Sequence, residues 1–537
     1  MKATHWSILG SNCIVACSVL LAAASGGRAE GADWSRFRGP NGSGISQETT
    51  ATPVSWSTTE NIRWKTPLPG PGVSSPIVVG DRIFVTCWTG YGTPEAPGTP
   101  QQDLRRHLLC IDRQSGKIQW DKSIEPVLPE DEYGGMFAEH GYASHTPVSD
   151  GERVYVYFGK TGALAFDLEG NQLWQTAIGT ESDPRGWGSA ASPVLYQDVL
   201  IVNGSAESEA LVGLDKKTGK QIWRQEAAGL SGVWATPVLV PINDQRTDLV
   251  IGVPNEIWGL NPLTGKLVWF CEGVATDSVR ASLAVKDDVV FFSEGRGGSV
   301  AVQAGGKGDV STTHVKWRTR DGGGIGTPIL HDNKLFLFGN RMVRVVDVTN
   351  GETLQQLRLQ AGGGGGDRGP GGPGGPDGPG GPGGPGGPDE RGGRRGEERG
   401  PGFGPPGGGP PADGFAQGPP PEGRGPGGPG GPDGPGGPGG PGGPGGPGGG
   451  RGGFGRGGGR RGGPGGGQDY ASPVLAGDKI YITSRSGSIA VVQLGDELKL
   501  VGTNSLSADG GDFSATPAIA DGHLYIRSSK YLYCIGQ

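Results

Sequence analysis

One repeated phrase limits the folds open to this chain: small residues with proline, an apolar run, a glycine or aspartate turn, then a β-branched run. The copies recur about every 45 residues, a period typical of propeller blades with four strands. A single four-stranded sheet cannot bury both of its faces, whereas radial stacking buries them all. We therefore predict an all-β, eight-bladed β-propeller of four-stranded blades. The eight copies are centred on Pro76, Pro147, Pro193, Pro237, Leu283, Pro328, Pro473 and Pro517.

A second signal follows most copies, as in LDKKTGKQIW from Leu214. An apolar strand ends in Asp or Asn, a turn with glycine follows, and a tryptophan lies on the outgoing strand. Asp side chains bond nearby backbone amides and glycine adopts positive φ, so the pattern predicts a β-hairpin. Because it recurs in blade after blade, we interpret it as scaffold and not as an active-site loop. The structural residues of the repeat are Asp112, Trp120, Trp174, Asp215, Gly219, Trp223, Trp269 and Trp64.

The chain ends without an outer strand for its last blade. The segment ENIRWKTPL, residues 60–68, offers that strand, with Trp64 at the repeated tryptophan position. We predict that it completes the eighth blade and closes the ring, which removes the open edge.

The N-terminus has the pattern of an export signal: Lys2, an apolar run over 8–24, and a small residue at Ala29. We predict a signal peptide over 1–29 and a location in the periplasm or cell envelope. The alternative is lipoprotein anchoring at Cys17. The predicted propeller covers 30–361, with the closing strand and blades 1–6, and 469–537, with blades 7–8.

Residues 362–468 form a glycine- and proline-rich tract inside one blade repeat. Such a composition cannot bury a core, so we predict a disordered, low-complexity loop. A collagen-like helix and an RNA-binding RGG segment, RGGFGRGGGRR from Arg451, are the less favoured alternatives. The formal net charge of −7 gives no general attraction to nucleic acid, and no nucleic-acid partner is expected.

Cys87, Cys110, Cys271 and Cys534 are widely spaced, lack a CxxC pair and lie in or beside β-rich runs. They are expected to be buried apolar side chains, with a Cys87–Cys110 disulfide as the alternative in an oxidising compartment.

Loops ahead of the innermost strands surround one mouth of a propeller channel. Their aromatic, imidazole, guanidinium and carboxylate groups could bind a polar ligand, or could be ordinary channel lining. The sequence has no nucleophile motif and no strong metal-ligand spacing, so catalytic and metal-binding residues are not predicted. The candidate ligand-binding residues are His140, Tyr142, His145, Trp187, Trp234, Arg280, Asp469, Tyr470, Asp512 and Phe513.

The repeated D-x-x-T-G-x-x-x-W and SPV strands resemble the pyrroloquinoline-quinone-like (PQQ-repeat) propeller superfamily. DWSRFRGPNGSGIS and EHGYASHTPVSDGERVYVYFG are similar to exported BamB-like propellers of planctomycete type. The resemblance implies an exported, monomeric, non-catalytic scaffold that binds envelope proteins or extracellular polymer, without a cofactor and with at most peripheral membrane contact. The alternative that it implies is a PQQ-dependent dehydrogenase of alcohols or sugars, with calcium. Such enzymes often carry adjacent cysteines, which the mature chain lacks.

Overall fold

The computed structural model describes residues 1, 33–94, 96–133, 140–359 and 468–536, with the side chain of residue 296 excepted. These residues form eight antiparallel sheets, each with four blade strands, which confirms the predicted propeller. Most of the predicted signal peptide and all but the last residue of the glycine–proline tract lie outside the described residues.

The strands follow the chain from the centre of each blade outward. In blades 1 to 4 they are Ile77–Val79, Arg82–Thr89, Arg105–Asp112 and Ile118–Ile124; Val148–Ser149, Arg153–Tyr157, Ala163–Asp167 and Gln172–Thr176; Val194–Tyr196, Val199–Gly204, Ala210–Asp215 and Gln221–Glu226; and Val238–Asn243, Arg246–Val253, Glu256–Leu260 and Leu267–Glu272. In blades 5 to 8 they are Ala284–Lys286, Val289–Ser293, Ser299–Gln303 and Val315–Thr319; Ile329–His331, Lys334–Gly339, Met342–Asp347 and Thr353–Arg358; Val474–Ala476, Lys479–Thr483, Ser488–Gln493 and Lys499–Ser505; and Ala518–Ala520, His523–Arg527, Tyr531–Ile535 and Ile62–Pro67.

The outer strand of blade 8 comes from the N-terminal part of the chain, as predicted. Ile62–Pro67 pairs antiparallel with Tyr531–Ile535, and Trp64 lies opposite Cys534. Two short strands add to the blades in parallel: Ile45–Ser46 beside the inner strand of blade 7, and Gly308–Asp309 beside the outer strand of blade 4.

In the part of the chain that the structure describes, helices are few and short. One α-helical turn covers Ser205–Ser208, and the 3-10 turns are Gln101–Asp103, Gly159–Thr161, Ala228–Leu230, Gly295–Gly297 and Ser507–Asp509. Among the described residues, no helix has the length and apolar character that a membrane crossing requires.

A cyclic chain of hydrogen bonds joins the eight blades at the centre. A Ser or Thr stands just before each anchor proline, or before Leu283 in blade 5, and its backbone N–H donates to the hydroxyl of its counterpart in the next blade. All eight residues are buried, and the N–O distances are 2.9 to 3.1 Å. In order, the members of this hydroxyl ring are Ser75, Thr146, Ser192, Thr236, Ser282, Thr327, Ser472 and Thr516, from which the bond returns to Ser75.

The repeated tryptophans clasp neighbouring blades at the outer strands. The indole N–H of Trp174 in blade 2 donates to the carbonyl of Lys216 in the Asp215 turn of blade 3, at 3.1 Å. The ring covers Gly219, where a Cβ would lie 2.6 Å from the indole and φ is +73°. Glycine therefore meets both a steric and a conformational demand. Equivalent bonds start from Trp64, Trp120, Trp223 and Trp317.

Three of the eight blade junctions lack this clasp, and in blade 7 the tryptophan position is taken by Gly502, opposite Val491. Trp269 of blade 4 donates to Asp248 in its own blade at 2.7 Å, and the parallel strand Gly308–Asp309 covers that edge instead. Gln355 of blade 6 takes the tryptophan position and bonds the Asp496 carbonyl at 2.6 Å, while its own oxygen accepts from the Leu498 N–H.

One end of the channel is crossed by the segment from Trp34 to Ile45. The Ser35 carbonyl accepts the Ser149 N–H of blade 2 at 2.9 Å, Arg38 reaches blade 6 on the opposite side of the ring, and Ile45 lies beside the inner strand of blade 7. Arg38 is 1% exposed and its guanidinium donates to carbonyls of Thr327, Pro328 and Pro473, with further bonds to carbonyls of its own loop. Burial lowers the pKa of Arg38 to about 9. These contacts fix the segment across the channel end.

The four described cysteines are free and buried. Cys87 lies opposite His107 and Cys110 lies opposite Phe84 on the paired strand. The two thiols pack into different core clusters on opposite faces of blade 1. The disulfide alternative is therefore wrong in this structure, because side chains of opposite parity on paired strands point apart.

The hydroxyl ring can be tested at Thr236, whose oxygen accepts the buried Ser192 N–H. Thr236→Val keeps the side-chain shape and leaves that donor unsatisfied, so we expect a loss of about 1–3 kcal/mol in the free energy of unfolding. Thr236→Ser keeps the acceptor and should cost no more than about 0.8 kcal/mol for the lost methyl group. Chemical denaturation measures both. Equal losses in the two variants would contradict a role for the hydroxyl.

The tryptophan clasp can be tested at Trp223, which is 7% exposed and donates to the Pro262 carbonyl at 3.1 Å. Trp223→Ala should lower the free energy of unfolding by about 3–5 kcal/mol, because it opens a cavity between blades 3 and 4. The matched control is Ile222→Ala on the same strand, which is 49% exposed and should change stability by less than about 0.5 kcal/mol. Similar denaturation midpoints for the two variants would refute the clasp.

Candidate functional site

The open mouth of the channel lies at the end of the blades where the inner strands begin. A cavity of about 2920 Å³ occupies it, bordered by loops from blades on several sides of the ring. Of the described residues, five cationic and four acidic ones line this cavity, so their charges nearly cancel. They are Arg280, Arg341, Arg344, Arg485 and Lys530, and Asp277, Glu294, Asp469 and Asp512.

Arg280 and Glu294 form the first ion pair of the mouth. Arg280 Nε and Nη2 donate to Glu294 Oε1 at 2.8 and 2.5 Å. The other oxygen, Oε2, accepts the backbone N–H groups of Arg280 and Ala281 at 3.1 and 3.2 Å. Glu294 is 1% exposed, so its burial is compensated by four donors. The pair is a fixed part of the cavity wall.

Arg485 and the two aspartates form the second group, on blades 7 and 8. Arg485 Nε donates to Asp512 Oδ2, whose partner oxygen accepts the Ser514 N–H at 3.0 Å. The Arg485 backbone N–H donates to Asp469 Oδ1 at 2.8 Å. Burial raises the pKa of Asp469. The structure thus brings together Asp469 and Asp512, two of the predicted residues.

His140 and Tyr470 meet beside this group. Their rings lie edge to face with centroids 4.4 Å apart, and the Arg485 guanidinium lies 5.6 Å from the Tyr470 ring. His140 Nε2 is buried without a hydrogen-bond partner among the described residues. Burial lowers the pKa of His140 and so favours the neutral imidazole. The nearby charge of Asp512 raises the pKa and partly offsets this effect.

Trp187 and Trp234 form an aromatic pair on the blade 3 and blade 4 side. Their centroids are 5.0 Å apart, and Trp187 lines the cavity. Trp187 sits between Gly186 and Gly188, which have φ of +69° and +70°. These left-handed glycines turn the backbone sharply on both sides of the indole. The indole N–H of Trp234 donates to the Gly188 carbonyl at 2.6 Å and so fixes the position of the two rings.

Three predicted residues lie away from the mouth. Tyr142 is buried among Trp88, Tyr91 and Tyr133, and its hydroxyl donates to the Asp131 carbonyl at 2.6 Å. Phe513 is fully buried and stacks on Tyr533 in the core.

His145 belongs to a buried polar network between blades 2 and 3. Its Nε2 lies 3.1 Å from Ser189 Oγ, which also bonds Glu207, and Glu207 accepts the Tyr157 hydroxyl at 2.7 Å. Burial, with the nearby Arg106, lowers the pKa of His145 to about 3, and burial raises the pKa of Glu207. The adjoining cavity measures about 10 Å³, so it is too small for a ligand.

Sequence reasoning missed Arg485 and Glu294. Both lie just after the second strand of a blade, in SRSGS and SEGRGG. Since strands one and two are antiparallel, this turn reaches the same end of the blade as the start of strand one. That geometry was a usable signal for the second set of mouth residues.

No three His, Cys, Asp or Glu side chains come together as metal ligands within the described parts of the chain. The acids of the mouth instead accept hydrogen bonds from arginines and backbone amides.

A family model described as outer membrane protein assembly factor BamB matches residues 105–357. BamB from Moraxella catarrhalis is 10% identical, over 89% of this chain and 99% of its own, with a TM-score of 0.47. A europium-containing methanol dehydrogenase is 9% identical, over 94% of this chain and 98% of its own, with a TM-score of 0.52. No curated protein matches the sequence.

At such identities the structural likeness shows the fold alone. The family model covers less than half of the chain; with the repeated Asp-Gly-Trp turns it shows what the chain is similar to, the pyrroloquinoline-quinone-like β-propellers.

Proposed function

We propose that the chain is a non-catalytic binding protein of the cell envelope, which presents its channel mouth to a protein or polymer partner. The pairing of the mouth charges carries this proposal. Arg280 is bonded to Glu294, and Arg485 to Asp512. A carboxylate with its donors in place is a poor general base, whereas a fixed ion pair offers directed hydrogen bonds to a ligand.

The alternative function, a PQQ-dependent dehydrogenase, requires a site for calcium and quinone in addition to the propeller fold. Calcium takes six to eight oxygen ligands, and a bound quinone needs a planar site beside it. Glu294, Asp469 and Asp512 each accept from protein donors, and the described residues contain no cluster of three candidate ligands. The donors on these three carboxylates favour the binding role over calcium ligation.

The scaffold around the mouth suits a binding role. The hydroxyl ring and the tryptophan clasps hold the loops on a closed frame, and a partner binds most precisely to groups held on rigid elements. The predicted export signal and the family model's description as an assembly factor support a place in the envelope.

Charge reversal at the rim tests this proposal. Asp277 and Lys530 are exposed and line the cavity, so Asp277→Lys with Lys530→Glu alters the mouth without disturbing a buried pair. We expect the wild-type protein to co-sediment with isolated cell envelopes, and this double variant to be retained several-fold less, because directed rim contacts are lost.

The matched control is Asp198→Lys with Lys217→Glu, which has the same zero change in net charge. These side chains are 69% and 66% exposed and lie in turns at the other end of blade 3. Equal loss in both double variants, or no retention of the wild type, would refute binding through the mouth. Stoichiometric quinone uptake with dye-linked alcohol oxidation would support the dehydrogenase instead.

A further inference from the structure

The mouth combines aromatic side chains with many fixed polar groups: of the described aromatic residues that line it, Trp88 and Phe338 are buried, whereas Trp187 is half-buried. Trp187 lines the cavity and packs against Trp234, and polar groups hold the pair: Asp183 accepts the backbone N–H of Trp187 at 3.0 Å, and Arg185 donates to the Asp277 carbonyl at 2.7 Å. The Arg185 guanidinium also lies 5.8 Å from the Trp234 ring centroid. The indole pair is therefore held from several directions.

We infer that the mouth binds a neutral polysaccharide, with a sugar ring packed against Trp187 and its hydroxyls bonded to the ion pairs of the wall. This inference rests on the proposed binding function and names the class of partner. A pyranose has an apolar C–H face and a polar edge, which match an indole surrounded by donors and acceptors.

The charge balance of the cavity selects against charged polymers. Among the described residues its five cationic and four acidic side chains nearly cancel, and two arginines are already paired with carboxylates. Such a mouth has no single-signed field to attract a polyanion or a polycation. The Arg–carboxylate pairs instead supply both donors and acceptors at fixed positions, as sugar hydroxyls require.

The surroundings of Trp187 also favour a glycan over a protein partner. Protein hot spots are aromatic anchors embedded in an apolar, fully desolvated patch. The cavity that Trp187 lines is also lined by Thr276, Asp277 and Ser278 and by Gly322, Gly323 and Gly324. An aromatic surface framed by polar and glycine residues suits a ligand that is wet at its edges.

The size of the cavity favours a polymer. At about 2920 Å³ it exceeds the roughly 300–1,000 Å³ of small-molecule pockets. The buried, unpartnered Nε2 of His140, beside Tyr470, offers one more group that a hydroxyl could satisfy.

The direct test is affinity electrophoresis of the purified chain in gels that contain a defined polysaccharide. We expect a neutral β-glucan, α-glucan or galactomannan to retard the wild-type protein, and polygalacturonate to have no effect. Trp187→Ala should raise the dissociation constant by about tenfold or more. Trp187→Phe should raise it by only about two- to threefold, since an aromatic ring remains. Thermal unfolding of each variant, unchanged from wild type, shows that folding is intact.

Retardation by the polyanion alone, by no neutral polysaccharide, or equally for wild type and Trp187→Ala would overturn the inference. Envelope sedimentation separates this failure from failure of the proposed function. Periodate, which cleaves vicinal diols, should abolish retention by envelopes, whereas protease treatment should leave it. Retention that survives periodate and is lost after protease treatment would point to a protein partner, so the glycan assignment would fail while binding through the mouth would stand.

Discussion

The cyclic chain of hydroxyl hydrogen bonds at the centre is the interaction on which the rest of this propeller depends. Inner strands of neighbouring blades diverge, so they cannot satisfy each other through a β-ladder. Instead, the backbone N–H of the Ser or Thr before each inner strand donates to a hydroxyl of the next blade, from Ser75 round to Thr516 and back to Ser75. Because the chain of bonds is closed, none of these eight buried donors is left without an acceptor. A break in this ring at any blade would leave one buried N–H without its acceptor.

The outer edge tolerates more variation than the centre. Three junctions lack the clasp: Trp269 donates to Asp248 within its own blade, Gln355 reaches the Asp496 carbonyl of the next blade, and blade 7 has Gly502 at this position. Blade 5 even carries Leu283 in place of the anchor proline, yet Ser282 keeps its position in the ring. The requirement at the centre is therefore the hydroxyl, whereas proline only favours the extended backbone before the inner strand.

Sequence periodicity sufficed for the fold because each blade repeats the same local chemistry. It predicted eight blades and the closing strand that contains Trp64. It did not predict which way a loop side chain faces. In GDFSATP, Asp512 bonds Arg485 at the mouth while Phe513, one residue later, enters the core, since successive side chains of an extended chain point to opposite sides. The sequence also could not predict the role of Arg38 in the channel. Its carbonyl partners in blades 6 and 7 are about 290 and 435 residues away along the chain.

The crossing segment changes what the mouth can accept. Arg38 fixes residues 34–45 across the far end of the channel through carbonyls of blades 6 and 7, so this end is bridged by the protein's own backbone. A polymer that enters at the mouth would meet this segment instead of threading through the ring. It must bind by a chain end or lie across the rim, where Asp277 and Lys530 are exposed and Trp187 lines the cavity. Binding from one side allows the partner to dissociate by the route it entered, which suits a reversible contact on a rigid frame.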